Sequence, residues 1–222
     1  MADQASLKQR LAAEGLGSFF LFASVIGSGI MAEALAGGNV AVALLGNTMA
    51  TGAMLFVLIT MLGPISGAHF NPAVTFVFAG RGSLAWREAW PYIGVQLIGG
   101  ALGAWAAHLM FDLPILQISS KARTGIGQWT GEALATFGLI LTIIGTVKHR
   151  PSWVPVSVAL YIMAAYWWTS STSFANPAIT VVRSLTNSFA GIAPHDAPMF
   201  IAAQLVGAVA GALAGRALFD NS

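Results

Sequence analysis

Ser66-Gly67-Ala68-His69-Phe70-Asn71-Pro72-Ala73-Val74-Thr75 decides the fold, together with Asn176-Pro177-Ala178-Ile179-Thr180, whose Asn lies 105 residues after the first. Asn-Pro-Ala reads as a helix start. Asn is among the best N-caps, and Pro suits the first helical position because its missing N–H would have no partner there. With the cap oxygen occupied by backbone N–H groups, the side-chain NH₂ is left to point outward. One copy is an ordinary helix-start tripeptide. Two copies in related contexts, each after an apolar stretch, are a specific signal.

The surrounding composition names the solvent. Of 222 residues, 56% are apolar or aromatic and 8% are Asp, Glu, Lys or Arg, whereas a soluble domain carries roughly a quarter charged residues. A water-soluble globular enzyme is excluded. A formal net charge of +2 is too small to suggest nucleic acid as a partner. The absence of Cys removes disulfides, thiolate catalysis and Cys-ligated metals.

Charge-free runs mark the membrane crossings. Stretches of 18 (after Glu14), 47 (after Glu33), 23 (after Glu88), 15 (after Glu132), 32 (from Pro151) and 19 residues (after Asp196) separate consecutive charges. A spanning helix needs about 20 apolar residues, so six spans are expected, at about 11–33, 40–62, 89–111, 128–147, 152–170 and 197–218. The 47-residue run exceeds one helix and falls short of two with a loop. Its second part carries Pro64, Gly67 and Pro72, and a similar surplus with Pro177 follows the fifth span. Irregular backbone at membrane depth is tolerated only inside protein or along a water-filled cavity. Two re-entrant half-helices, at about 71–80 and 176–187, account for both surpluses.

Seven of ten basic residues, namely Lys8, Arg10, Arg81, Arg87, Lys148, Arg150 and Arg216, fall on one side if the N-terminus is cytoplasmic. The positive-inside rule then places both termini inside. The polar Met1–Ala13 reads as having no cleaved signal peptide. The chain reads as a single channel domain, 1–222, in two repeats, about 11–111 and 128–218. Glu14 matches Glu132, and Gln96-Leu97 matches Gln204-Leu205. Three spans per repeat invert the second copy, which brings matching elements to a site near the bilayer midplane. Asn71 and Asn176 then meet from opposite leaflets as two amide donors. Each half-helix adds a positive dipole end of about half an elementary charge, which repels cations and splits a water file into two opposed halves.

These residues resemble the aquaporin and glycerol-facilitator (major intrinsic protein) superfamily. The likeness rests on the 66–75 stretch, the second Asn-Pro-Ala, and Glu14 and Glu132 inside spans, and it covers essentially the whole chain. It implies an all-α bundle of six spanning and two half-helices, with one pore per protomer, assembled as a homotetramer in the inner (plasma) membrane. It also implies passive permeation of water and small neutral solutes, with proton and ion exclusion, no enzymatic step and no cofactor. Carbonyls of Gly67, Ala68 and His69, and of Thr172, Ser173 and Phe174, would line the path.

Family resemblance further places the narrowest point at Thr51, Ala164, Ser173 and Ile179. The last is usually Arg. Three small side chains and no guanidinium imply a wider, less polar constriction, suited to glycerol-like polyols, urea or neutral trihydroxy metalloids such as arsenous acid. In this the chain resembles bacterial aquaporins associated with arsenic resistance. Arg183, seven residues after Asn176, is rotated by only about 20° from it and rises roughly 10 Å. It is expected in the outer vestibule, one turn beyond the usual arginine.

Other candidates have plainer readings. Glu14 and Glu132 occur once per repeat and are expected to brace the re-entrant loops. His69 is expected to satisfy nearby polar groups, while His108, His149 and His195 are scattered and form no metal site. Gly94, Gly99, Gly100 and Gly103, with Gly207, Gly211 and Gly215, are expected at tight helix crossings. Tyr166, Trp167 and Trp168 are assigned to the interfacial aromatic belt. The 169–173 hydroxyls lack a His–acid pair and form no catalytic site. The alternatives are a strictly water-selective pore, a proton-coupled secondary transporter using the two glutamates, and a closed scaffold.

Overall fold

A computed structural model describes residues 5–220. The leader reading of the first residues therefore falls in part, over Met1–Gln4, outside the described residues.

Side-chain caps start four of the eight α-helices among the described residues. Ser6 opens α1 (Leu7–Leu35) with a reciprocal capping box to Gln9, and Asn39 caps α2 (Val40–Ser66) by accepting from Ala41 and Val42. Asn71 and Asn176 open α3 (Pro72–Gly80) and α7 (Pro177–Arg183), each with Pro in the first turn. The remaining helices are α4 (Trp86–Met110), α5 (Ile126–His149), α6 (Val154–Trp168) and α8 (Ala197–Phe219).

Among the described residues, five helices, α1, α2, α4, α5 and α8, are long and apolar enough to cross a bilayer. The sixth crossing is shorter than the expected 152–170. A 3₁₀ turn at Pro151–Trp153 precedes α6, whose 15 residues cover about 22 Å at 1.5 Å each. Pro151 and Pro155 restrict its start, and Thr169 leaves the helix in extended geometry. The other boundary differences run in both directions. α2 continues through Pro64 to Ser66, and Gly67, at φ 87°, closes it in a left-handed conformation that favours glycine. α7 stops at Arg183, short of the expected 187, because the Ser184 and Leu185 N–H groups turn back to Val181 and Val182. The chain then doubles over, with the Ile192 N–H on the Arg183 carbonyl.

The repeat is visible in the packing. α1 packs on α4 as α5 packs on α8. A Cβ on Gly99 would collide with the Gly15 carbonyl, and one on Gly207 with that of Ala133. Gly103 meets the Phe19 carbonyl in the same way, and Gly211 that of Phe137. Backbone-to-backbone approach therefore explains these glycines, and Gly100 and Gly215 receive the Phe22 and Ile144 side chains. Gly94 is the exception, since a Cβ there would meet nothing within 4 Å. The two half-helices enter from opposite ends, and their N-termini meet in the centre of the bundle.

Candidate functional site

The centre is built from two loops that bend alike. Gly67, Ala68 and Phe70 have φ of 87°, 50° and 48°, and Thr172, Ser173 and Ala175, each 105 positions on, have 64°, 49° and 47°. Left-handed backbone at non-glycine residues costs about 1–3 kcal/mol each and persists only where the surroundings enforce it. The glutamates do so. Glu14 accepts from the His69 and Phe70 N–H groups at 2.9 and 2.7 Å, from the Ser66 hydroxyl at 2.7 Å and from Gln96 at 2.8 Å. Glu132 accepts from Phe174 and Ala175 at 2.8 and 2.9 Å and from Gln204 at 2.6 Å. Gln96 and Gln204 also donate to Thr75 and Thr180, whose hydroxyls return to the Asn71 and Asn176 carbonyls.

With the loops braced, the two asparagines interlock. The Asn71 side-chain oxygen accepts from Ala73 at 2.9 Å, and its Nδ2 donates to the Ala175 carbonyl of the other loop at 2.7 Å. Asn176 accepts from Ala178 and Ile179 at 3.0 and 3.3 Å, and its Nδ2 donates to the Phe70 carbonyl at 2.8 Å. Each amide thus commits one N–H across the junction and retains one. Both asparagines line a cavity of about 430 Å³ that runs past them from Arg10, Ser83 and Val154 at one end to Thr51, Tyr166 and Arg183 at the other.

Most expected positions come together on that cavity. Gly67, Ala68, His69, Ser173 and Phe174 line it, as do Thr51, Ile179 and Arg183; Thr172 does not. Pro72, Ala73, Pro177 and Ala178 are buried in the first turns of the half-helices. His69 bonds the Thr75 hydroxyl at 3.1 Å and packs against the Phe78 and Tyr92 rings.

Ala164 is a correction, because it is exposed on the outside of the bundle. The face of α6 that meets the cavity is Val154, Val158, Ile162 and Tyr166, one residue per turn. Two positions are about 200° apart on a helix, so Tyr166 lies opposite Ala164. Tyr166 also leaves the aromatic belt, since it is buried and donates to Thr51 Oγ1 at 3.3 Å. Trp167 and Trp168 do face outward. Sequence offered a signal here in the four-residue spacing back from Tyr166, but a helix apolar on every side gives little contrast between faces.

Arg183 sits one turn beyond Ile179 in the same wall, enclosed to 2% exposure rather than standing in an open vestibule. Its Nε donates to the Ala190 carbonyl, and its guanidinium lies 3.4 Å from the Phe174 ring centroid. Ser173 Oγ is buried and makes no hydrogen bond within the protein.

Comparison with known proteins identifies this architecture. The sequence profile of the major intrinsic proteins matches residues 1–170. The chain belongs to the major intrinsic protein family. A family member described as aquaglyceroporin AqpS, from Rhizobium meliloti (strain 1021), is 54% identical over 203 residues, 91% of this chain and 87% of that one. Aquaporin Z of Photorhabdus laumondii is 30% identical over 171 residues, 70% of this chain and 73% of the other. Among solved structures, the aquaglyceroporin from Plasmodium falciparum superposes with a TM-score of 0.71 over 98% of this chain and the whole of that one. At 19% identity that likeness speaks for the major intrinsic protein fold alone.

Proposed function

We propose that the protein is a passive transmembrane channel for water and small uncharged solutes of the glycerol class, with no chemical step. The observation that carries the reading is the cavity past two interlocked asparagines, each with one N–H left for a passing solute. The 54% identity to a protein described as an aquaglyceroporin supports the solute class.

The constriction on this reading is Thr51, Tyr166, Ser173 and Ile179, with Tyr166 in place of Ala164. It is narrower than three small residues would make it. It also combines two kinds of wall, the hydroxyl-bearing Thr51, Tyr166 and Ser173 and the aliphatic Ile179, all of which line the cavity. A solute with a hydroxyl edge and a carbon face satisfies both walls, as glycerol does, and neutral trihydroxy acids share the edge. Arg183, paired with no carboxylate among the described residues, repels cations at that end. A single channel domain of two inverted repeats, a homotetramer, and both termini on the cytoplasmic face of the plasma membrane complete the proposal.

Stopped-flow light scattering of proteoliposomes tests it with water, glycerol and urea gradients. Flux linear in the gradient and independent of pH is expected, with glycerol permeant and cation leak raised by Arg183→Ala. Permeation of water alone overturns the solute class. Saturable flux driven by protons and lost in Glu14→Gln overturns the channel in favour of a coupled transporter.

A further inference from the structure

Two side chains with a permanent charge line the cavity among the described residues, Arg10 and Arg183, and they stand toward opposite ends. Among the described residues, no carboxylate belongs to that lining. The two arginines are held differently. Arg183 leans on a carbonyl and an aromatic face. Arg10, in the first turns of α1, donates from both terminal nitrogens to both oxygens of Glu88 on α4, at 2.9 and 3.0 Å. Its Nε is buried and has no partner. Arg10 lines the cavity together with Ser83, Leu84 and Tyr92, at the end of the bundle where α1 begins and α8 ends, and Glu88 is not part of that lining.

A fork-to-fork pair is neutral in sum but not in its field. The guanidinium lies on the conduit and the carboxylate behind it. An approaching cation meets the positive pole first, at a shorter distance than the compensating negative one, and Coulomb repulsion weights the nearer charge. The positive dipole ends of α3 and α7 guard the middle and Arg183 guards the far end. Among the described residues, nothing else with a permanent positive charge lines the near end. Removing the guanidinium would reverse the sign there and open a bare carboxylate to the conduit.

Resting on the channel reading above, we propose that Arg10 is a charge-selectivity residue of this mouth, and that Glu88 is its positioning residue. The guanidinium screens the Glu88 carboxylate from the conduit, while neutral solutes pass beside it.

The test reads cation leak and glycerol-driven swelling on the same proteoliposomes, so that leak is scored per swelling-competent channel. R10Q leaves Glu88 uncovered and is expected to raise potassium leak about tenfold. R10Q/E88Q removes the uncovered charge and is expected to bring the leak back to within about twofold of wild type. R10K keeps the charge without the fork and is expected to stay low, which also covers the case where R10Q folds poorly. Leak in R10Q equal to wild type overturns the inference and leaves the channel reading standing. Leak that stays high in R10Q/E88Q also overturns it, because a widened opening would then explain the effect. Wild-type protein that gives no swelling with any neutral solute overturns the channel reading and this inference with it.

Discussion

Glu14 and Glu132 present oxygens only as acceptors, toward backbone N–H groups that the left-handed loop geometry has taken away from any other partner. A Gln at position 132 would turn an NH₂ toward one of those donors, leaving a buried N–H unsatisfied at a cost of about 1–3 kcal/mol. Glu132→Gln is therefore expected to lower the thermal midpoint in detergent and solute flux together, while the flux that remains stays insensitive to pH. Tyr166 and Ala164 form a second contrast. Tyr166→Ala is expected to raise the permeability of five-carbon polyols relative to glycerol, and Ala164→Leu to leave that ratio unchanged, both read by swelling rates. At this scale the sequence was legible wherever a residue's chemistry dictates one role. A cap asparagine, a Pro at the first helical turn and an acid in an apolar span each have few uses. Ala164 could not be read that way, because its side chain says nothing about which way its helix faces. Distance counted from a motif is a poor guide where two rotational settings differ by two residues.

Elements pair through backbone contact, and glycine decides where. Gly99→Ala and Gly207→Ala would each drive a Cβ against a carbonyl of the facing helix that has no freedom to retreat. Each is expected to destabilise by about 1–3 kcal/mol or more, seen as a lower thermal midpoint and lower yield of monodisperse protein. Gly94→Ala, which meets open space, is expected to match wild type. The six-plus-two pattern of helices was legible from charge-free runs and prolines. The end of α7 was not, because a hydrogen bond turned back by one residue leaves no mark in composition, and the end of α2 was not, because Pro64 reads as a helix stop although the helix runs through it to the Gly67 cap. Loops 111–125 and 184–196 bond each other at the end away from the start of α1 and the end of α8. Lys121 donates to the Phe189 carbonyl at 2.7 Å, and Arg123 donates to Gly191 at 2.8 Å. Burial, followed by the nearby Arg123 and Arg183 charges, holds the Lys121 amine at about 8, below its ordinary 10.5. Between those values the unfolded chain keeps a proton that the folded one has released, so stability rises with pH through that window. Below it the penalty is present in full and the profile is flat. Thermal midpoints from pH 7 to 11 are expected to show this rise in wild type and a smaller one in Lys121→Gln.

The whole molecule is two copies of one motif that close on each other. A repeat was legible at this scale, since the matched Glu, Asn-Pro-Ala and Gln recur in order across the chain. What could not be read was that the two asparagines bond across the junction rather than only facing the cavity. The Asn71 amide bonds a carbonyl 104 residues away. At roughly 5–20 residues per second of synthesis, the first loop spends about 5–20 s without its partner. During biogenesis the first half is therefore a waiting intermediate whose strained loop is held by Glu14 with Ser66, Gln96 and Thr75 but lacks the bond that Asn176 makes to the Phe70 carbonyl. Halves divided within 111–125 and expressed apart are expected to be degraded. The same halves expressed together are expected to restore swelling in vesicles, because the bonds that complete each loop are non-covalent and belong to the other half. The junction thus acts as a checkpoint on assembly, so that a conduit forms only when both halves are present.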